Sequence, residues 1–273
     1  MNNIHIDNQE LLNEKISKIK ADGLDNLHVV SDYDRTLTKC FHEGKKRSSV
    51  ISLIRSGGYL TKDYPEKAFA LFDKYHPYEM DKDLDLEIKS KYMQEWWTTH
   101  RELLMKSGMN KGVIDDILRK YSSLFREKTR ELLKELNNFK IPLLILSAGV
   151  GNLIEGYLKQ ENIFYSNIQI ISNIFEFDEN GNALGYKDKI IHVFNKSEAS
   201  IPEEYKTQIS KRKNVILMGD SLGDLDMTSG MDHDIVIKIG FLNEDLTQLP
   251  LYKEKFDVVI TNDGDMGYVL DLV

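Results

Sequence analysis

The stretch Val29-Val30-Ser31-Asp32-Tyr33-Asp34-Arg35-Thr36 decides the fold of this chain. The apolar run that begins at Leu27 predicts a short buried strand, and Asp32 lies at its carboxyl end. Asp32 and Asp34 are two residues apart, so in an extended segment their side chains point to the same side. One carboxylate can attack phosphorus as a covalent nucleophile, and a second can exchange protons with the leaving oxygen and with water. Taken alone, the segment also fits an acidic turn after a strand.

Two further apolar runs end in polar residues. Ile141 to Leu146 is followed by Ser147-Ala148-Gly149, and Val215 to Met218 is followed by the acidic segment from Gly219 to Asp224. In an open α/β sheet, ligands bind beyond the carboxyl ends of the strands. We therefore expect the tips at Asp32, Ser147 and Asp220 to converge.

The residue types at these tips suit the binding of a phosphate and a metal ion. Ser147 offers a hydroxyl beside backbone N–H groups at a predicted helix start, where anions bind well. Asp220 is a candidate ligand for a hard cation such as Mg²⁺, which prefers oxygen donors. Lys196 supplies positive charge from a segment that precedes the third strand. Each feature alone also fits an ordinary turn or a surface residue.

The order of the predicted elements indicates an α/β protein. Strands that alternate with helices imply a Rossmann-like, doubly wound, mainly parallel sheet. Residues 48–128 show no convincing strand and predict an inserted helical cap domain, which leaves residues 1–47 and 129–273 as the core. Within the core, residues 7–22 predict a helix capped by Asp7, and Phe175 to Tyr186 predicts a hairpin.

Composition limits the functional classes. The 273-residue chain is 41% hydrophobic and carries a formal net charge of −8, which argues against a general nucleic-acid binder. Its single cysteine, Cys40, excludes an internal disulfide and indicates a reducing compartment, so we expect a cytoplasmic protein. The longest apolar run is too short to cross a bilayer. We expect a small-molecule substrate as the partner, no nucleic-acid or membrane partner, and a monomer or weak oligomer.

With these residues collected, the chain resembles the haloacid dehalogenase superfamily. It is more specifically similar to the cytosolic 5'-nucleotidase III family, also called the pyrimidine 5'-nucleotidase family. The resemblance covers nearly the whole chain and rests on five stretches. They are Tyr92-Met93-Gln94-Glu95-Trp96-Trp97, Ser147-Ala148-Gly149, Ile191-His192-Val193-Phe194-Asn195-Lys196, Leu217-Met218-Gly219-Asp220-Ser221-Leu222-Gly223-Asp224 and Lys238-Ile239-Gly240-Phe241-Leu242-Asn243.

The resemblance implies a role for each candidate residue. Asp32 would be the nucleophile and a Mg²⁺ ligand, and Asp34 the general acid and base with its carbonyl on the metal. Asp220 would be the third protein ligand, and Asp224 would support the metal site. The residues expected to bind the substrate are Ser147, Ala148 and Lys196 for the phosphate, and Glu79, Trp96 and Trp97 of the cap for the base. Trp96, at helical spacing with Ile88 and Tyr92, also fits core packing, and Glu79 also fits a solvated loop.

The implied function is hydrolysis of nucleoside 5'-monophosphates with Mg²⁺, through an aspartyl-phosphate. The base could be a pyrimidine, as in CMP or UMP, or 7-methylguanine. Two alternatives stay open: a phosphatase for another small metabolite, such as a sugar phosphate or phosphoserine, and a non-catalytic protein that binds a phosphorylated metabolite. Arg35 departs from the apolar residue that the family pattern favours between Asp34 and Thr36.

Overall fold

The computed structural model describes residues 3–81, 83–122 and 124–273. Strands and helices alternate along most of the described chain, as predicted. The strands are β1 (Ile4–Ile6), β2 (Leu27–Ser31), β3 (Phe41–His42), β4 (Lys45–Lys46), β5 (Leu143–Val150), β6 (Ile168–Asn173), β7 (Phe175–Phe177), β8 (Ala183–Tyr186), β9 (Asn214–Gly219), β10 (Ile235–Leu242) and β11 (Val258–Thr261).

Among the described residues, seven strands form the central sheet in the order β1-β11-β10-β9-β2-β5-β6. All neighbouring pairs are parallel except β1 with β11. Strand β2 therefore lies between β9 and β5, with Val30 opposite both Leu217 and Leu144. This order brings the carboxyl ends of the three strands that precede Asp32, Ser147 and Asp220 side by side.

Helices cover both faces of this sheet, which confirms the Rossmann-like, doubly wound prediction. Successive residues of β2 face opposite layers, since Val29 packs in the larger core cluster and Val30 in a second one. The helices are α1 (Gln9–Asp22), α2 (Val50–Ser56), α3 (Tyr64–Met80), α4 (Leu86–Lys106), α5 (Lys111–Lys120), α6 (Thr129–Asn138), α7 (Gly151–Gln160), α8 (Glu203–Ile209), α9 (Leu249–Lys255) and α10 (Gly267–Leu270).

The segment that follows β4 is helical, with α2 to α5 between residues 50 and 120. It also contacts the rest of the chain closely. The hairpin of β7 and β8 bonds to it, since the Ala183 N–H donates to the Met109 carbonyl and the Lys111 N–H donates to the Gly181 carbonyl. The division at residues 48 and 128 stays a prediction. No described helix combines the length and apolarity needed to span a bilayer.

One predicted helix cap is wrong. Helix α1 starts at Gln9, and the side chain of Asn8, not Asp7, accepts a hydrogen bond from the Leu11 N–H. Asn8 has extended backbone angles and a carbonyl oxygen at the right reach, as an N-cap requires. The predicted hairpin is confirmed by the antiparallel pair β7 and β8.

Candidate active site

The tips of β2, β5 and β9 lie together at one edge of the sheet. The Asp32 N–H donates to the Met218 carbonyl at 3.0 Å, so Asp32 lies next to the carboxyl end of β9. The side chains of Asp32, Asp220 and Asp224 converge there, with one carboxylate oxygen from each within 4.8 Å of the others. The structure thus brings together acidic residues that are nearly two hundred positions apart in the chain.

Lys196 lies among these carboxylates. Its Nζ is 2.5 Å from Asp32 Oδ1 and 2.7 Å from Asp224 Oδ1. Burial lowers the pKa of Lys196, but the carboxylates of Asp224 and Asp32 outweigh that effect and raise its pKa above the ordinary value. Lys196 is therefore held as a charged ammonium between Asp32 and Asp224.

The three carboxylates carry more negative charge than one ammonium can balance. Burial raises the pKa of Asp32 to about 6 although Lys196 acts in the opposite direction. Burial and the neighbouring carboxylates of Asp32 and Asp224 raise the pKa of Asp220 well above its ordinary value. An all-oxygen donor set with unbalanced negative charge fits a hard divalent cation such as Mg²⁺.

Local backbone structure fixes the orientation of Asp224. Its Oδ2 accepts hydrogen bonds from the Ser221 N–H at 2.8 Å and from the Ser221 hydroxyl at 2.9 Å. Gly219 makes this approach possible, because a Cβ there would lie 2.3 Å from the Asp224 Cβ. Asp224 is thereby aimed at Lys196.

Asp34 lies beside the second strand tip. Its carboxylate accepts from the Val50 N–H at 3.3 Å, at the start of α2. Burial, and then the charge of Asp32, raise the pKa of Asp34 to about 7. A Cβ placed on Gly149 would lie 3.2 Å from the Ser147 hydroxyl and 3.8 Å from Asp34 Oδ2, so both polar groups border the same small space.

The segments that carry Ser147, Ala148 and Lys196 are joined by Asn173. The Asn173 side-chain amide donates to the carbonyls of Ala148 and Ile191, each at 2.8 Å, and its Oδ1 accepts from the Ile191 N–H at 3.0 Å. One amide at the end of β6 therefore ties the second strand tip to the segment of the lysine.

The charge of Arg35 reaches the carboxylate cluster, because it opposes the rise in the pKa of Asp34 and of Asp220. The backbone of Arg35 is left-handed, with φ of 63°, and its guanidinium pairs with Glu244 at 3.0 Å. The Arg35 N–H donates to the Thr38 hydroxyl at 3.0 Å. The Thr36 hydroxyl is buried and has no hydrogen-bond partner in the described part of the chain. Thr38 thus provides the hydroxyl contact to the loop.

The predicted base-binding residues lie in and around an aromatic cluster between α3 and α4. Trp96 is 8% exposed and stacks on Tyr75 with ring centroids 6.0 Å apart, whereas Trp97 is half-buried. Glu79 is also half-buried, and its carboxylate lies 2.9 Å from His76 Nδ1. Phe194, two residues before Lys196, packs against this cluster, so the aromatic residues of α3 and α4 adjoin the lysine segment.

Comparison with known proteins identifies the family. Residues 35–273 match the sequence model described as pyrimidine 5'-nucleotidase (UMPH-1). The chain belongs to the pyrimidine 5'-nucleotidase family. This membership confirms the predicted resemblance and the predicted enzyme class, a 5'-nucleotidase among the phosphoric monoester hydrolases.

Two curated relatives match this family member over almost its whole length. The 7-methylguanosine phosphate-specific 5'-nucleotidase of Gallus gallus is 34% identical, covering 97% of this chain and 93% of its own. The protein of the same name from Homo sapiens is 32% identical, covering 95% of this chain and 88% of its own.

Solved structures agree with the family and the fold. Cytosolic 5'-nucleotidase IIIB bound to cytidine superposes with a TM-score of 0.90 at 31% identity, covering 100% of this chain and 94% of that one. A probable phosphoserine phosphatase from Vibrio cholerae superposes with a TM-score of 0.53 at 12% identity, covering 91% and 64%. The second likeness shows the shared fold alone.

Besides Thr38, sequence reasoning missed two residues that support the candidate site of this pyrimidine 5'-nucleotidase family member. Asn173 is the last residue of β6, so the rule that polar residues at strand ends matter would have found it. Arg126 is fully buried and donates to the carbonyls of Arg35, Thr36 and Gly264. Nothing in the local sequence marks Arg126, because its partners are backbone groups of distant segments.

Proposed function

We propose that this protein hydrolyses nucleoside 5'-monophosphates with Mg²⁺, through an aspartyl-phosphate on Asp32. The observation that carries the proposal is the convergence of Asp32, Asp220 and Asp224 around the Lys196 ammonium. A nucleophilic carboxylate, a cation site and a fixed positive charge at one sheet edge are what phosphoryl transfer from an ester requires.

The first step transfers the phosphoryl group to the protein. The Asp32 carboxylate attacks phosphorus, a P–O bond to aspartate forms, and the bond to the nucleoside O5' breaks. Asp34 gives its proton to that oxygen, and the nucleoside leaves as a neutral alcohol. A pKa of about 7 leaves a large fraction of Asp34 protonated at neutral pH, as this role needs.

The second step regenerates the nucleophile. Water attacks the phosphorus of the aspartyl-phosphate while the Asp34 carboxylate accepts its proton, and inorganic phosphate leaves from Asp32. Lys196, with the Ser147 hydroxyl and the backbone at Ala148, would hold the phosphoryl oxygens in both steps.

Mg²⁺ would be held by the carboxylates of Asp32 and Asp220 and by the backbone carbonyl of Asp34, with Asp224 supporting the site. The ion would neutralise charge on the phosphoryl oxygens. Chelation is expected to abolish turnover, and added Mg²⁺ to restore it. Full activity after exhaustive removal of divalent ions would contradict this assignment.

The base would lie against the cap. Glu79 and Trp97 are half-buried, so each retains exposed surface for a base, and Trp96 would support the aromatic wall behind them. The relatives named for 7-methylguanosine phosphate and the neighbour with bound cytidine support a nucleotide but point to different bases.

A substrate panel tests the proposal. The purified protein is given CMP, UMP, 7-methyl-GMP, a sugar phosphate and phosphoserine with Mg²⁺, and kcat/KM is measured for each. We expect at least one nucleotide to exceed the other two compounds by tenfold or more, or about 1.4 kcal/mol of transition-state binding. A sugar phosphate or phosphoserine as the best substrate would refute the nucleotide assignment and leave the phosphatase chemistry intact.

A further inference from the structure

A second cluster of ligand-type side chains lies outside the candidate active site. His28 Nε2 is 2.7 Å from Glu198 Oε1, and His233 Nε2 is 2.6 Å from Glu198 Oε2. The three ligand atoms lie within 4.8 Å of one another. They come from β2, from the turn after Lys196 and from the loop before β10, so the fold gathers them from three distant segments.

The cluster is buried, and His28 lies on an apolar face of β2. His28 shares a face of β2 with Val30, which packs in the second core cluster. The side chains of His28 and Glu198 are fully buried, and that of His233 is 6% exposed. Polar groups this deep are costly unless they have partners or bind an ion.

Glu198 brings a negative charge into this setting. Burial raises its pKa, but the hydrogen bonds from His233 and His28 outweigh that effect and lower the pKa below its ordinary value. In each ring the Nε2 atom faces the carboxylate, while the Nδ1 atom is buried without a hydrogen-bond partner in the part of the chain that the structure describes. The two Nε2 atoms are therefore the ring nitrogens that a ligand beside the Glu198 carboxylate would meet.

We propose that His28 Nε2, the Glu198 carboxylate and His233 Nε2 form a binding site for a divalent transition metal of the Zn²⁺ type. Two imidazoles and one carboxylate are a donor set that Zn²⁺ takes, with a fourth position left for water. Mg²⁺ prefers oxygen donors, so the His28–Glu198–His233 site and the aspartate cluster should select different ions.

The position of the site gives the ion a structural consequence. Glu198 lies two residues beyond Lys196, and the next residue, Ala199, donates its N–H to the Ser229 carbonyl at 3.1 Å. An ion bound by His28, Glu198 and His233 would fasten the lysine turn to β2 and to the segment before β10. It would act on Lys196 through the backbone, away from the reacting atoms.

Zinc binding in excess Mg²⁺ tests the proposal on the full chain. We expect one Zn²⁺ per chain after equilibrium dialysis, with the same stoichiometry in Asp32→Asn, and a rise in Tm with Zn²⁺ beyond that with Mg²⁺ alone. Co²⁺ in place of zinc should give the intense visible absorption of a four-coordinate, imidazole-bound ion, which an all-oxygen, six-coordinate site does not give.

Two variants and one control locate the ion. Glu198→Gln and His233→Asn should each lower zinc affinity at least about tenfold, because even an outer-shell partner contributes that much. His42→Asn, an exposed histidine, should bind zinc like the parent. No zinc retained by the parent and no change in its Tm would overturn the proposal. Zinc binding that is unchanged in both variants would do the same.

Discussion

Lys196 carries a buried ammonium that contacts two carboxylates, those of Asp32 and Asp224. Removing one partner of a buried ion pair leaves the other charge without compensation, which costs about 3–5 kcal/mol. We expect Lys196→Met to lower the free energy of unfolding by this amount in a chelator, measured by denaturant titration. Mg²⁺ should restore part of the loss, because it adds positive charge among the same carboxylates.

Lys91→Met is the matched control for this change. Lys91 pairs with Glu87 on the surface of α4, with the lysine side chain 72% exposed. Such pairs contribute about 0.3–0.5 kcal/mol. A Lys196→Met variant as stable as Lys91→Met would show that the buried ammonium does not balance the carboxylates.

Asp32 is the residue on which the proposed chemistry depends. Asp32→Asn keeps the shape of the side chain and removes the nucleophilic oxygen, so we expect kcat to fall at least 100-fold, or about 2.7 kcal/mol. Steady-state phosphate release with a saturating nucleotide measures this. Turnover close to that of the parent would contradict the assignment of Asp32.

At the residue scale, the convergence of the acidic and basic side chains could be predicted better than the residues that support them. Asp32, Ser147 and Asp220 could be predicted because each follows an apolar run. Arg126 could not, because its side chain binds backbone carbonyls that any sequence would provide. Thr38 was missed for a similar reason, since its contact depends on the left-handed backbone at Arg35.

At the scale of elements, β5 and α2 meet at Gly149. A Cβ on Gly149 would lie 2.4 Å from Val50 Cγ2, and the Val50 N–H is bonded to Asp34. We expect Gly149→Ala to cost about 1–3 kcal/mol of stability by overpacking and to lower kcat by displacing α2 from Asp34.

A double variant tests whether this contact is the cause. Val50→Ala removes the methyl group that the new Cβ would meet. The double variant, Gly149→Ala with Val50→Ala, should therefore recover part of the kcat that Gly149→Ala alone loses, as measured by steady-state kinetics. An equal loss in both proteins would place the effect elsewhere.

His100 connects α4 to the start of α3 through a hydrogen bond of 3.0 Å to the Tyr64 hydroxyl. Burial, and then the charge of Arg55, lower the pKa of His100 from 6.5 to about 3. Between these pH values the unfolded chain binds a proton that the folded chain does not, so stability falls as the pH falls below 6.5. Protonation of His100 in the unfolded chain therefore lowers the free energy of unfolding by about 2 kcal/mol at pH 5.

Denaturant titrations at pH 7 and pH 5 check this expectation. From pH 7 to pH 5, the free energy of unfolding of the parent should fall by about 2 kcal/mol more than that of His100→Gln. His42→Gln, at an exposed position, should behave like the parent. Equal losses in the parent and His100→Gln would contradict a neutral, buried His100.

Helices and strands with a strong local sequence pattern were predicted better than the contacts that those helices and strands make. Helix α7 (Gly151–Gln160) follows Ser147-Ala148-Gly149, where the sequence predicted the start of a helix. The predicted cap of α1 was wrong because Asp7 and Asn8 are both good N-cap residues, and only the backbone conformation decides which of them caps the helix. The bonding of the β7–β8 hairpin to the helical segment was not predicted, because it joins backbone groups across a long separation.

At the scale of the whole molecule, the order of strands in the sheet makes the site. Placing β2 between β9 and β5 brings Asp32 beside Asp220 on one side and Ser147 on the other. The rule that ligands bind at the carboxyl ends of parallel strands allowed this convergence to be predicted. The packing of α3 and α4 against Phe194 joins distant segments of the chain, which periodicity alone does not reveal.

The most direct test of the central claim is to trap the aspartyl-phosphate. The protein is quenched during turnover of its best nucleotide with Mg²⁺ and treated with borohydride, which reduces an acyl phosphate but not a free carboxylate. Peptide mass spectrometry should then find the side chain at position 32 of the parent reduced to the alcohol, and no reduced carboxylate in Asp32→Asn treated in the same way. An unmodified Asp32 in the parent, or reduction at another carboxylate, would contradict covalent catalysis by Asp32.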